Sequence, residues 1–232
     1  VKALPGSFDT RRFMAHESQG ITHIQNPIQH FAERGLSFPK SLLGYRPTNP
    51  TQTNSQPSTE RSLQISDIPH HYLEAGAVHI CPIDLNSHII LPSIFRQHQA
   101  STITLASYPG YMDPAYWETL PGLLSDLTAF ITPEEEIRNL FMGYQTELWE
   151  MATALSELGP EFIIIITDTG AYYLLDRQNN SKWVIPQYRA NSIDPTGTRD
   201  AFAGGFLAGY REHYDAVEAA VMGSIAGSIV TE

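Results

Sequence analysis

The residues best able to do chemistry lie together in one run, Asp194-Pro195-Thr196-Gly197-Thr198-Arg199-Asp200-Ala201-Phe202-Ala203-Gly204-Gly205-Phe206-Leu207-Ala208-Gly209. An extended segment, Lys182 to Tyr188, leads into a turn through Pro195 and Gly197. The small-residue apolar pattern that follows predicts a helix beginning just after Asp200. Such a turn aims unpaired backbone N–H groups and the positive end of a helix dipole at one point, which makes an anion site. A carboxylate there repels the anion it would sit beside. Chemistry supplies a reason to keep it: Asp200 takes a proton from a hydroxyl while the N–H groups hold a phosphoryl group. The plainer alternative is an Asp that merely charges the first turn of a helix. Spacing alone does not choose between them.

The run resembles the signature of the PfkB/ribokinase family of sugar and nucleoside kinases, Asp-(Thr/Pro)-Thr-Gly-Ala-Gly-Asp-Ala-Phe followed by a small-residue helix. The resemblance implies that Asp200 is the catalytic base. Gly197, Thr198 and Arg199 then fall on the anion hole for the transferred phosphate. Asp194 falls at the start of the loop, close to where relatives hold a monovalent cation such as K+. Arg199 stands where the family has Gly, so a left-handed backbone cost of about 1–2 kcal/mol is expected there. Obstruction is the expected consequence, with Arg199→Gly raising the rate.

Three further stretches are similar to the same family, in the same order. Leu127 to Leu140 sits where the family has Asn-x-x-Glu, whose Glu supports Mg2+ through water; Glu136 matches the Glu, and the Asn position falls on Pro133. Ile164 to Ala171 resembles the strand and Thr-x-Gly-x-x-Gly turn beside the nucleotide, here shortened, with Thr167 and Gly170 retained. Ala216 to Val230 is similar to the helix under the adenine. The implied cofactors are ATP and Mg2+, and the implied substrate is a sugar or nucleoside bearing a hydroxymethyl group.

These residues need elements to position them. From about residue 67 the pattern alternates. Strands are predicted at Ala77–Cys81, Thr102–Leu105, Leu127–Ile131, Phe162–Ile166, Tyr172–Leu175 and Trp183–Ile185. Helices are predicted near His88–His98, Tyr116–Leu124, after Pro133, and over Glu147–Leu158, Ala201–His213 and Ala216–Val230. The Ile163–Ile166 run suits a strand buried on both faces. Alternating strands and helices predict an α/β sandwich with a largely parallel sheet, and the resemblance makes it a ribokinase-like three-layer α/β/α fold over residues 67–232. Residues 1–66 are less readable: Phe13 to Ile24 suits a short strand or two around Gly20, and the polar run Arg46 to Arg61 reads as a long loop. The family's Gly-Gly sugar-binding motif lies before anything legible here, and its last helices lie beyond Glu232. The chain is therefore expected to be a piece of that fold, cut at both ends.

Composition bounds the rest. A net charge of −11 argues against a nucleic-acid partner, because nothing would neutralise a phosphate backbone. No window is apolar enough for a membrane span, and no signal peptide opens the chain. The single Cys81 suggests a reducing compartment and a cytoplasmic location. The His spacings, His70-His71 included, fit no metal-ligand pattern. A homodimer is left open. The competing reading is a degenerate relative that binds nucleotide or a partner without catalysis. A dinucleotide-binding dehydrogenase ranks behind both, since no Gly-x-Gly-x-x-Gly follows a strand.

Overall fold

The computed structural model describes residues 13–16, 22–23, 26–45, 62–191 and 193–232, so the polar run Arg46 to Arg61 lies outside the described residues. Four apolar strands, β3 (Ala77–Ile80), β4 (Thr102–Ala106), β5 (Ala129–Pro133) and β6 (Phe162–Ile166), pair in parallel and in chain order. Each connection runs through helix: α3 (Leu85–Gln97), then a 3-10 segment with α4 (Leu120–Leu124), then α5 (Glu134–Leu140) with α6 (Leu148–Ser156). The strands β7 (Tyr172–Asp176) and β8 (Ser181–Ile185) turn back antiparallel and complete a six-stranded sheet. The helices α7 (Thr198–His213) and α8 (Ala216–Val230) end the chain.

Strand alternation decides which helices cover which face. Ile103, Leu105, Phe130, Ile163 and Ile165 point into a core with Leu91, Leu123, Leu124 and Leu155 of α3, α4 and α6. Ala129, Ile131, Ile164, Tyr172 and Leu174 point to the other side, against Phe202, Phe206, Ala219 and Ala220 of α7 and α8. This is the three-layer α/β/α sandwich. Phe202 is wholly buried and stacks on Tyr172 at 4.0 Å; burying such a ring is worth about 1.5–3 kcal/mol. The small residues of α7 and α8 let the two backbones nearly touch. A Cβ on Gly205 would come within 2.9 Å of Gly223 Cα, and one on Gly223 within 2.8 Å of the Phe202 carbonyl oxygen.

Several elements differ from the sequence expectation. The Tyr116–Leu124 helix is split, because Pro121 cannot donate and α4 restarts around it after 3-10 turns at Pro114–Thr119. Strand β5 runs two residues later than expected. Thr128 precedes the strand with its backbone still bonded to Ile103 and Phe162 and its hydroxyl accepting from Ile103 N–H, while Pro133 closes the strand beside Ile166. At the N-terminus, β1 (Ala15–His16) and β2 (Thr22–His23) pair antiparallel, in agreement with the expectation for Phe13 to Ile24. Helix α1 (Pro27–Glu33), capped by Asn26, adds to the expected elements. A short α2 (His70–Leu73) precedes β3. Ser62 donates to Asp84, and Leu63 N–H donates to Ser87, tying the start of the main body to the cap of α3.

Candidate active site

The carboxyl ends of β3 to β6 bring Cys81, Ser107, Glu136 and Thr167 to one edge of the sheet, where open α/β sheets bind ligands. Helix α7 starts above this edge. Its N-cap is Gly197 at φ 84, a left-handed conformation that residues with a Cβ avoid. The helix therefore begins at Thr198, not after Asp200, and Arg199 and Asp200 occupy its first turn. This removes the strain expected at Arg199: it has no positive φ, because Gly197 takes the left-handed position. The expected obstruction loses that backbone premise.

The loop before α7 is held by local bonds. Asp194 accepts from Thr196 N–H at 2.8 Å, and the Thr198 hydroxyl donates to the Pro195 carbonyl at 2.7 Å. Thr198 N–H leans on the same carbonyl at 3.3 Å. The N–H groups of Gly197, Arg199 and Asp200 have no acceptor among the described residues, and they are the donors left for an anion. Arg199 and Asp200 are both exposed. Asp194 lies 3.1 Å from His16 of β1, and its hydrogen bonds from Thr196, side chain and backbone, hold its carboxyl below the usual range.

Glu136, in the first turn of α5, is buried. Burial pushes its carboxyl up to about 7, against a hydrogen bond with Ser107 and the positive charge of Arg199. Arg199 thus lies within electrostatic reach of Glu136. The Ser107 hydroxyl donates to Glu136 at 2.5 Å and also lies 3.0 Å from the Thr132 hydroxyl. On the β6–β7 turn the Thr167 hydroxyl donates to the Ala171 carbonyl at 2.8 Å. Gly170 sits at φ 84, with the Gln187 side chain filling the place of a Cβ. The turn touches α5 through Asp168 N–H, which donates to Glu134 at 3.2 Å.

Asp200 acts electrostatically on the β3 side. Its charge is felt at His79 and at the exposed Cys81, whose thiol is raised by burial and then by Asp200. His79 lies on β3 with Nδ1 2.9 Å from the Thr104 hydroxyl, and its Nε2 is buried without a partner. A group left so costs on the order of 1–3 kcal/mol. Below it His88 is fully buried, with Nδ1 2.8 Å from the Tyr111 hydroxyl and Nε2 2.9 Å from the Cys81 carbonyl. The structure thus gathers Asp200, Arg199, Gly197, Thr198 and Glu136 around one edge. Thr167 and Gly170 lie on the neighbouring turn, and Asp194 lies in the loop itself.

Sequence reasoning missed His79, Thr104 and Ser107. One signal was available: a His amid Ala77, Val78 and Ile80 of a short apolar strand is a polar group that needs a reason. An apolar slot of 320 Å³ lined by His213, Val217 and Met222 lies at the far end of α7 and takes no part in this edge.

Known proteins carry related chains. A cytidine kinase of Thermococcus kodakarensis is 26% identical over 146 residues, which are 62% of this chain and 50% of that protein. The chain therefore spans about half the length of that relative. Among solved structures, the ribokinase of Thermotoga maritima superposes with a TM-score of 0.57 at 20% identity, over 71% of this chain and 53% of the other. An Arabidopsis thaliana ribokinase complexed with ribose and ATP gives 0.60 at 17% identity, over 76% and 55%. An adenosine kinase of Anopheles gambiae also gives 0.60, at 18% identity, over 77% and 56%. These likenesses show a ribokinase-like fold. Residues 90–232, more than half the chain and inclusive of the α7 turn, match the pfkB family carbohydrate kinases, and the chain belongs to that family.

Proposed function

We propose that this protein transfers the γ-phosphoryl group of ATP to a hydroxymethyl group of a nucleoside or sugar, with Asp200 as the general base. The observation that carries the reading is Asp200 in the first turn of a 16-residue helix whose N-cap is a left-handed Gly197, above the carboxyl edge of a parallel sheet. Asp200 accepts the hydroxyl proton as that oxygen attacks phosphorus. The N–H groups around Gly197 and Thr198 stabilise charge on the equatorial oxygens. The exposed Arg199 adds a guanidinium beside them, suited to bidentate contact with phosphate. Thr167 and Gly170 border the nucleotide.

Among the described residues no three His, Cys, Asp or Glu side chains gather into a metal cage. Glu136 alone fits an Mg2+ that arrives with its phosphates and keeps most of its water. The ion supplies charge neutralisation at the phosphates, and Glu136 supports its water shell. Cytidine, adenosine and ribose, the substrates named in the relatives, share a ribose hydroxymethyl, which favours a ribosyl acceptor. No helix among the described residues is long and apolar enough to cross a membrane, and a cytoplasmic enzyme is the reading consistent with its single Cys81.

The test is ADP release from ATP and Mg2+ over a panel of ribose, hexoses and ribonucleosides. Turnover with one ribosyl acceptor, abolished in Asp200→Asn, is expected. ATP binding by calorimetry with no ADP from any acceptor would instead support nucleotide binding without catalysis. The unusual Arg199 and the shortened Thr167–Gly170 turn favour that second reading.

A further inference from the structure

We infer that His79 is a positioning residue for Asp200: its buried Nε2–H is the donor open to the Asp200 carboxylate. The inference rests on the reading of Asp200 as the base, and it names a partner for that base. Alternation along β3 sends Val78 and Ile80 into the core on the α3 side. His79 therefore points to the opposite face, the one on which α7 packs against β3 and β4. Its register partner is Thr104, whose hydroxyl meets Nδ1 at 2.9 Å.

The tautomer follows from counting donors. Thr104 is fully buried and its hydroxyl has no other acceptor among the described residues. Donation to Nδ1 satisfies that hydroxyl and leaves the imidazole proton on Nε2. Nε2 is the atom that is buried without a partner, so the structure holds an unspent donor there. The groups around His79 are Thr104 from β4, His88 from α3 and Asp200 from α7. Burial, the strongest of the influences, holds the ring neutral with its pKa down at about 4; Asp200 pulls the other way and His88 adds to the lowering. At neutral pH the ring is thus a fixed, uncharged donor beneath a carboxylate. A donor in that place orients the carboxylate.

The test uses the whole chain labelled with 15N. Imidazole correlation spectra should show His79 as the Nε2–H tautomer, unchanged from pH 5 to pH 8. Asp200→Asn should move the His79 ring signals. An Nδ1–H tautomer, or signals indifferent to Asp200, would overturn the inference whether or not the protein turns over a substrate. In turnover, His79→Leu should lower kcat about tenfold with KM for ATP little changed. His79→Gln, which keeps an amide donor, should restore most of it. Equal losses of kcat in both variants, or a loss matched in KM, would make His79 a packing residue only. If the wild-type chain turns over nothing while its ring signals still answer to Asp200, the kinase reading fails and the pairing stands.

Discussion

His79 at the end of β3 and Glu136 just past β5 stand at the same edge of one sheet, and burial moves them in opposite directions. It pulls the imidazole down to about 4 and pushes the carboxyl up to about 7. Both are therefore uncharged between those values, and each works as a directional hydrogen-bonding group, through Thr104 on one side and Ser107 on the other. The charges that remain, Arg199 and Asp200, are exposed on the first turn of α7. The floor of the site is buried and, between those pH values, uncharged; the roof is charged and exposed. That division suits a site that must receive a highly charged nucleotide, because buried unpaired charge would cost far more than burial of a neutral donor.

The largest test of this contrast removes the charge above and leaves the floor alone. Asp200→Asn should lower phosphoryl transfer by about two to four orders of magnitude with nucleotide affinity nearly unchanged, read by steady-state kinetics and calorimetry. A turnover number within a few-fold of wild type would take the base assignment away from Asp200.

Next come the two buried groups and their signs. His79 is depressed below its unfolded value of 6.5, so its contribution to stability is complete above that pH and is lost as pH falls through about 4. Glu136 is raised above 4.5, so its contribution is complete below that pH and is lost as pH rises through about 7. Each swing is on the order of 3 kcal/mol at most. Denaturant unfolding of Glu136→Gln should show a gain over wild type at pH 8 and little change at pH 5. A loss of equal size at both pH values would mean that the floor is not governed by burial. In turnover, the same variant should need more Mg2+ for half-maximal rate; a shift in acceptor dependence alone would count against Glu136 as the metal-side residue.

The roof depends on how α7 seats on α8. Gly205→Ala places a methyl against Gly223 Cα and Ala226, and should cost about 1–3 kcal/mol, measured by thermal or denaturant melts. The smallest effect is expected at Arg199. Arg199→Gly should weaken ATP binding a few-fold and cost about 1 kcal/mol of helix stability. The loss of a nearby cation should also raise the Glu136 titration further. A faster enzyme with unchanged ATP affinity would restore the obstruction expected from the family's Gly at that position.

Much of the α7 turn is legible in the amino-acid sequence. The motif from Asp194 to Asp200 is local, so spacing alone puts a carboxylate three residues beyond a glycine turn. The strand Phe162–Ile166 and the helix Ala216–Val230 have the bounds that the sequence predicts, because a β-branched apolar run and an Asp-capped small-residue helix leave little choice. Helix α7 starts earlier than its pattern predicts: its first residue depends on the left-handed φ of Gly197, and composition does not state dihedrals. Which buried groups Arg199 and Asp200 act on is not legible either. One answers to Glu136 and the other to His79, and both partners lie far away in the chain.

The sequence by itself determined the alternating α/β layout, the family signature and the residues of the α7 turn, because those follow from short-range periodicity and spacing. Only the tertiary structure decided that His79, Thr104 and Ser107 lie beneath that turn. Parallel pairing in register aligns strand ends that crossover helices separate in the chain, and burial at that edge then sets which groups stay neutral.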